Sequence, residues 1–261
     1  MSLVHDDETG LVLIKPDWPT CPKNVRAFSS TRMGGVSLAP YGDSRGDAGL
    51  NLGDHVGDDT SAVQLNRACL ADFMPNPVTF LSQIHGNMVV DIAKLKNDME
   101  IKADACFSTT PEMVCAVLTA DCLPILLSSE SGDCVAAVHA GWRGLAGGVV
   151  EAAVKKMTQS GAKNISAWMG PAIGPRAFEV GADVLHAFSG RQIAQAPFFV
   201  PATNDGKFFA DIYAIAKRIL QGVGVVDVFG GEYCTFTDTD LFYSYRRDGI
   251  TGRMASWIWF N

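Results

Sequence analysis

The longest apolar stretch of the chain, Met113–Leu127, reads MVCAVLTADCLPILL and is interrupted only at Asp121 and Pro124. It is too short to span a bilayer, and its polar interruption divides it into two strand-length pieces. The spacing predicts a buried strand, a turn carrying Cys122, and a second buried strand. Two other short apolar runs also deliver a metal-binding side chain where a strand should end. FLSQIHG ends on His85 and CVAAVHAGWRG on His139.

The chain has 261 residues, enough for one domain with a substantial core. With 48% hydrophobic and 19% charged residues, the composition is that of a compact soluble protein. The net charge of −7 argues against nonspecific nucleic-acid binding and against an anionic membrane surface. A small anionic substrate stays possible, since one or two local arginines outweigh a weak global field. MSLVHDDETG lacks the basic segment and apolar stretch of a signal peptide. Seven scattered cysteines with no C-x-x-C fit a reducing cytoplasm.

Strands are expected at Val12–Ile14, Ala27–Ser30, Val78–Leu81, Val114–Leu118, Ile125–Leu127, Val135–Val138, Ile165–Met169 and Val225–Phe229. Leu241–Tyr245 and Met254–Trp259 also read as extended. Asp59 or Thr60 can cap a helix whose inner face is Ala62, Leu65, Cys69 and Phe73, stopped by Pro75. Leu145, Val149, Ala153 and Met157 recur every four residues and predict a helix over Leu145–Gln159. Shorter helices are expected at Ala182–Phe188 and Asp211–Leu220. Strands come in runs and helices between some of them, so the expectation is an α+β fold with a mixed β-sheet. No repeat, low-complexity tract or charged linker occurs, which favours a single domain over residues 1–261.

Two imidazoles and a thiolate form a donor set suited to zinc, with a fourth position left for water or substrate. Each member also has an ordinary reading. His85, followed by Gly86, is equally a turn histidine bonded to backbone, and Cys122 a packed thiol. Asp121 before Cys122 and Pro124 after it are poor strand chemistry, which suggests a site. His139 opens HAGWRGLAGG, where a helix start, glycines and Arg143 make an anion cradle or merely a tight strand-to-helix turn. Arg32 in FSSTRMGGVS and His55 in NLGDHVG sit in loops, where binding groups concentrate. His5 and His186 carry no functional weight. Rossmann, P-loop, zinc-deaminase and H-E-x-x-H patterns are all absent.

Seven stretches, FSSTRMGGVS, NLGDHVGDD, SQIHG, TADCLPILL, AAVHAGWRGLAGG, MGPAIGP with FEVG, and CTFTDTDLFYSYRRDGITGRMASWIW, together resemble one family. It is the YfiH family, also called laccase-domain or multicopper polyphenol oxidoreductase proteins and now regarded as purine nucleoside phosphorylases. The resemblance runs from about Phe28 to the C-terminus. It implies zinc, with copper the alternative metal, held by His85, Cys122 and His139, which would also be the catalytic residues. It implies phosphorolysis of adenosine, inosine, guanosine and S-methyl-5′-thioadenosine, with adenosine deamination beside it. It further implies a single-domain α+β fold related to that of certain deamidating bacterial toxins. The expected partners are purine nucleosides and inorganic phosphate, and the expected state is a cytoplasmic monomer.

Under this reading phosphate attacks the ribose anomeric carbon through an oxocarbenium-like transition state. Arg32 and Arg143 are the candidates for holding the anion. Asp121 is a candidate for support of Cys122 or proton transfer, and His55 for substrate contact. Three rivals stand beside it. A copper-dependent polyphenol oxidase needs imidazole-rich sites that five histidines supply poorly. A metal-free cysteine hydrolase would use Cys122 and His139. In a binding module the metal would be structural.

Overall fold

A computed structural model describes residues 2–95, 100–191, 193 and 197–261. The N-terminal part forms β1 (Ser2–His5), β2 (Val12–Lys15), β3 (Val25–Ser30), β4 (Met33–Ser37) and helix α1 (Thr60–Ala68). Next come β5 (Val89–Asp91), β6 (Ala105–Ser108), β7 (Cys115–Thr119), β8 (Leu123–Ser128) and β9 (Val135–Ala140). Helices α2 (Trp142–Gly147) and α3 (Val149–Gln159) precede β10 (Ser166–Met169), β11 (Glu179–Gly181) and α4 (Ala182–Ala187). The chain ends with β12 (Phe199–Pro201), β13 (Lys207–Ala210), α5 (Ile212–Gly222), β14 (Val228–Gly230), α6 (Tyr245–Asp248) and β15 (Met254–Phe260).

An antiparallel sheet of order β1-β2-β3-β15-β7 faces a six-stranded sheet of order β14-β10-β8-β9-β6-β5. The second sheet is mixed, because β14 and β5 pair in parallel at its two edges. A small sheet, β11-β13-β12, lies apart. The α+β fold with a mixed sheet is thus the one observed.

Three cores explain the layers. Ile14, Val117, Ile258 and Phe260 of the first sheet pack with Cys106, Leu126, Ala137 and Trp168 of the second. The far side of the second sheet buries Ile125, Leu127 and Val138 against Val150, Ala153 and Met157 of α3 and Ile215, Ala216 and Ile219 of α5. The far side of the first sheet is covered by Leu50, Leu52 and Leu70. Strand β15 shows why its sequence fits: Met254, Ile258 and Phe260 enter the inter-sheet core, while Ala255, Trp257 and Trp259 enter the outer one. Strand β8 is covered on both faces, which accounts for its unbroken apolar run.

Several expectations change. The predicted strand Ile125–Leu127 extends back to Leu123, so Pro124 lies inside it, opposite His139 and near the strand start where a missing N–H is tolerated. Val78–Leu81 pairs with no strand, and Ser82 makes only an isolated bridge to Lys102. Leu241–Tyr245 is not a strand; Phe242 and Tyr243 are buried side chains of an irregular segment that runs into α6. Helix α1 is capped by Asp59, whose side chain accepts from Ala62 N at 2.9 Å, but its inner face differs from the expected one. Leu65 is 57% exposed, while Val63 and Asn66 are buried. Asn66 wins the inside position through polar bonds, accepting from Val36 N at 2.8 Å and donating to Ser37 Oγ at 2.8 Å and Asn51 O at 2.9 Å. The expected helix Leu145–Gln159 is two helices, broken at Gly148, whose φ of 88° ends α2 in the left-handed conformation.

Candidate metal centre

Strand β7 belongs to the first sheet and β8 to the second, so Ala120–Cys122 carries the chain across from one to the other. Asp121 makes that turn with a φ of 88°, a conformation costing a non-glycine residue about 1–3 kcal/mol. Its carboxylate holds it there, accepting from Thr235 Oγ1 and from Arg246 N at 2.6 Å each. Cys122 thereby stands at the end of the sandwich, beside His139 of β9.

The sequence-predicted donors come together. One ligand atom from each of His85, Cys122 and His139 lies within 4.8 Å of the others. Cys122 Sγ is 3.7 Å from His85 Nε2, and the two imidazole rings meet edge to face at 4.8 Å. Among the described residues this is the one His/Cys/Asp/Glu group of such geometry. Gly141 is required for it: a Cβ there would sit 2.9 Å from Cys122 Sγ and 3.0 Å from His85 Cδ2.

A residue that sequence reasoning missed organises the two histidines. Asp104 is fully buried. Its Oδ1 accepts from His139 Nδ1 at 2.8 Å and from His85 N at 2.8 Å. Its Oδ2 accepts from Gly86 N at 2.7 Å and Ile84 N at 3.3 Å. Burial would raise the carboxyl pKa, but the His139 ring and these N–H donors hold it below the usual carboxylate range. An ionised Asp104 fixes the proton of His139 on Nδ1 and leaves Nε2 for the site. It also holds the loop at His85, whose φ is 58°. The available signal was a lone charge at the head of ADACFS, the same kind of interruption that marks Cys122.

Burial alone would push the Cys122 thiol up, yet the His139 and His85 imidazoles outweigh it and bring the thiol to about 6. His139 moves the other way: burial draws it down, and Cys122 with Asp104 raises it to about 9. The donor set therefore fits a divalent ion of zinc type. A thiolate and an oriented imidazole converge with a second imidazole, and Gly141 beside them leaves Cys122 and His85 the room they need.

The three donors open into a cleft of about 580 Å³. Apolar and aromatic groups contribute much of its lining, among them Leu118, Trp142, Ile173, Phe178 and Tyr245. Arg143, Arg246, Arg253 and His55 supply the polar part. Arg143 stacks over Trp142 at 4.3 Å, in the first turn of α2, which starts three residues earlier than expected. His55 is exposed beside Asp54, and burial of its inner part together with Arg253 holds its pKa below the ordinary value. Arg32 is placed elsewhere. It is 7% exposed, donates to Gly42 O at 2.6 Å and Thr239 O at 3.2 Å, and is not among the cleft residues. Its guanidinium ties loops together rather than facing the site. A separate apolar depression of about 370 Å³, lined by Leu70, Met74, Val78 and Phe80, carries no nucleophile or metal donor.

The chain is similar to known proteins over nearly its whole length. The profile of the family described as multi-copper polyphenol oxidoreductase laccase matches residues 26–261. Two curated relatives, both named purine nucleoside phosphorylase, are close in sequence. The Haemophilus influenzae protein is 47% identical over 95% of this chain and 98% of its own. Escherichia coli YfiH is 49% identical over the same shares. A Neisseria meningitidis crystal structure superposes with a TM-score of 0.87 at 44% identity, covering 95% of this chain and 99% of that one. Bacillus licheniformis YfiH gives 0.81 at 27% identity, over 98% of each chain. The chain belongs to the laccase-domain family that includes YfiH.

Proposed function

We propose that this chain is a zinc-dependent purine nucleoside phosphorylase acting on adenosine, inosine, guanosine and S-methyl-5′-thioadenosine, with adenosine deamination as a side activity. The observation that carries the reading is the convergence of His85, Cys122 and His139 in a cleft lined by both aromatic rings and arginines. The names of the two curated relatives point the same way.

His85, Cys122 and His139 would hold the ion, with Asp104 setting the orientation of His139. Zinc bound there would supply a Lewis acid with one open coordination position. The aromatic groups Trp142, Phe178 and Tyr245 suit a flat purine, and the arginines that lie over their rings suit phosphate. Attack by phosphate on the anomeric carbon spreads positive charge over the sugar, so the chain's task is to place the anion on one face and the departing base on the other. Arg143 serves the anion from the mouth, His55 meets substrate as a neutral imidazole, and Asp121 keeps the Cys122 turn in place.

Copper oxidation of phenols would require further imidazole-rich sites, and among the described residues only this cluster is formed. Among the described residues no helix is long and apolar enough to cross a membrane. A monomer in the cytoplasm is the state that goes with free thiols and with this reading.

The test is product identification. Zinc-loaded protein incubated with adenosine and phosphate should give adenine and ribose 1-phosphate, and little adenine without phosphate. Inosine formed equally with and without phosphate, and no ribose 1-phosphate, would reject phosphorolysis.

A further inference from the structure

Outside the cleft Arg45, Arg67, Arg191 and Arg247 pair with Asp43, Asp54, Glu151 and Asp248. The three cleft arginines, Arg143, Arg246 and Arg253, have no carboxylate partner among the described residues. The chain carries 28 acidic against 21 basic residues, so three unpaired cations on one cleft oppose the overall balance. The only carboxylate lining the cleft, Asp121, already accepts from Thr235 Oγ1 and Arg246 N.

Arg253 differs from the other two. Arg143 and Arg246 are exposed at the mouth, whereas Arg253 is half-buried. Arg246 Nη1 is engaged by Glu179 O at 2.6 Å. Arg253 is built in from both ends. Its backbone N donates to Asn51 Oδ1 at 2.8 Å, and its carbonyl accepts from Leu52 N at 3.0 Å. Its Nη1 donates to Thr251 O and Gly252 O, each at 3.0 Å. Gly53 leaves room for the stem, since a Cβ there would lie 2.7 Å from Arg253 Cγ. Nε and Nη2 find no acceptor among the described residues, so one edge of the guanidinium is left with its donors in a fixed fork. Burial lowers the pKa of Arg253, while Cys122 and Asp121 favour its charged form, as expected of a cation facing the donor floor.

A half-buried guanidinium with an open, pre-oriented edge matches the oxygens of a phosphate group. We infer that Arg253 is the seat of inorganic phosphate in this cleft, with Arg143 and Arg246 drawing the anion in from the mouth. The inference rests on the phosphorolytic reading for its substrate, and it gives Arg253 the anion-holding part that Arg32 is too remote to play.

Two measurements test it. In the first, zinc-loaded protein is labelled with phenylglyoxal, and modification is read by mass spectrometry at Arg253, with exposed Arg218 on α5 as reference. Saturating inorganic phosphate should slow labelling of Arg253 by about tenfold and leave Arg218 unchanged. Labelling that phosphate does not slow, or that only adenosine 5′-monophosphate slows, would overturn the assignment. In the second, Arg253→Lys and Arg253→Gln are assayed after zinc content and Tm are checked. Arg253→Gln should raise the phosphate KM about ten- to a hundredfold with the nucleoside KM unchanged, and Arg253→Lys should fall between. An unchanged phosphate KM in a folded, zinc-replete Arg253→Gln protein would also overturn it, as would equal rises in both KM values. The labelling needs no turnover. Phosphate protection at Arg253 without any ribose 1-phosphate from adenosine would sink the phosphorylase reading and leave the anion seat standing.

Discussion

Asp104 accepts four hydrogen bonds, one from the His139 ring and three from the backbone around His85. One carboxylate thus sets the tautomer of His139 and the left-handed turn at His85. Asp104→Asn keeps the volume but turns one acceptor into a donor facing N–H groups. Zinc affinity should fall about ten- to a hundredfold, read by competition with a chromophoric chelator; unchanged affinity would show that the histidines orient themselves. The thiol offers a second check at this scale. With its pKa depressed to about 6, metal-free Cys122 is mostly thiolate at pH 7. Its alkylation by iodoacetamide should stay near plateau at pH 7 and decline as pH falls through about 6. Cys21 and Cys134, pushed up to about 11 and about 12, should lag far behind. Equal labelling of Cys122 and Cys21 at pH 7 would contradict the site's electrostatics. Continued nucleoside turnover by metal-free protein, abolished by this alkylation, would favour a cysteine hydrolase. The convergence of His85, Cys122 and His139 could be anticipated from the sequence because each interrupts or ends an apolar run. Arg253 could not, because an arginine before a strand looks like a solvated surface charge until its partners are known.

Elements with strong periodicity were readable. The stripe Ile212, Ile215, Ala216, Ile219 and Leu220 is buried on α5, and Asp211 caps it by accepting from Ala214 N at 2.9 Å. Strand β15, expected as an extended segment, is buried along its whole length between two cores. What escaped were pieces that exist only by pairing, such as the three-residue strands β5, β11 and β12, whose few side chains carry no pattern of their own. Asn66 also escaped, since a hydrophobic count favours Leu65 for the inside. The break between α2 and α3 was hidden by a stripe that continues across it, as Leu145, Val149, Ala153 and Met157 are all buried. Gly148 supplies that break. A Cβ there would meet nothing nearer than 3.5 Å, so Gly148→Ala tests backbone strain without a clash. It should cost about 1–2 kcal/mol in denaturant unfolding. A neutral or stabilising result would mean that the helix runs through as easily as it bends.

At the scale of the whole molecule, two sheets packed face to face and helices behind the second build the floor of the site. The crossover Ala120–Cys122, the end of β9 and the Asp104-held loop meet where the sheets part, which is why donors at positions 85, 122 and 139 converge. No spacing rule in the sequence announces this, because the distances are set by sheet order rather than by turns of a helix. The central claim is that this junction is a zinc centre for phosphorolysis. It is tested most directly by adding zinc stepwise to metal-free protein in the presence of adenosine and phosphate while ribose 1-phosphate is measured. Its rate of formation should rise with zinc up to one ion per chain and then level, and Cys122→Ala should stay flat. Full activity without zinc, or activity that appears only with copper, would contradict it.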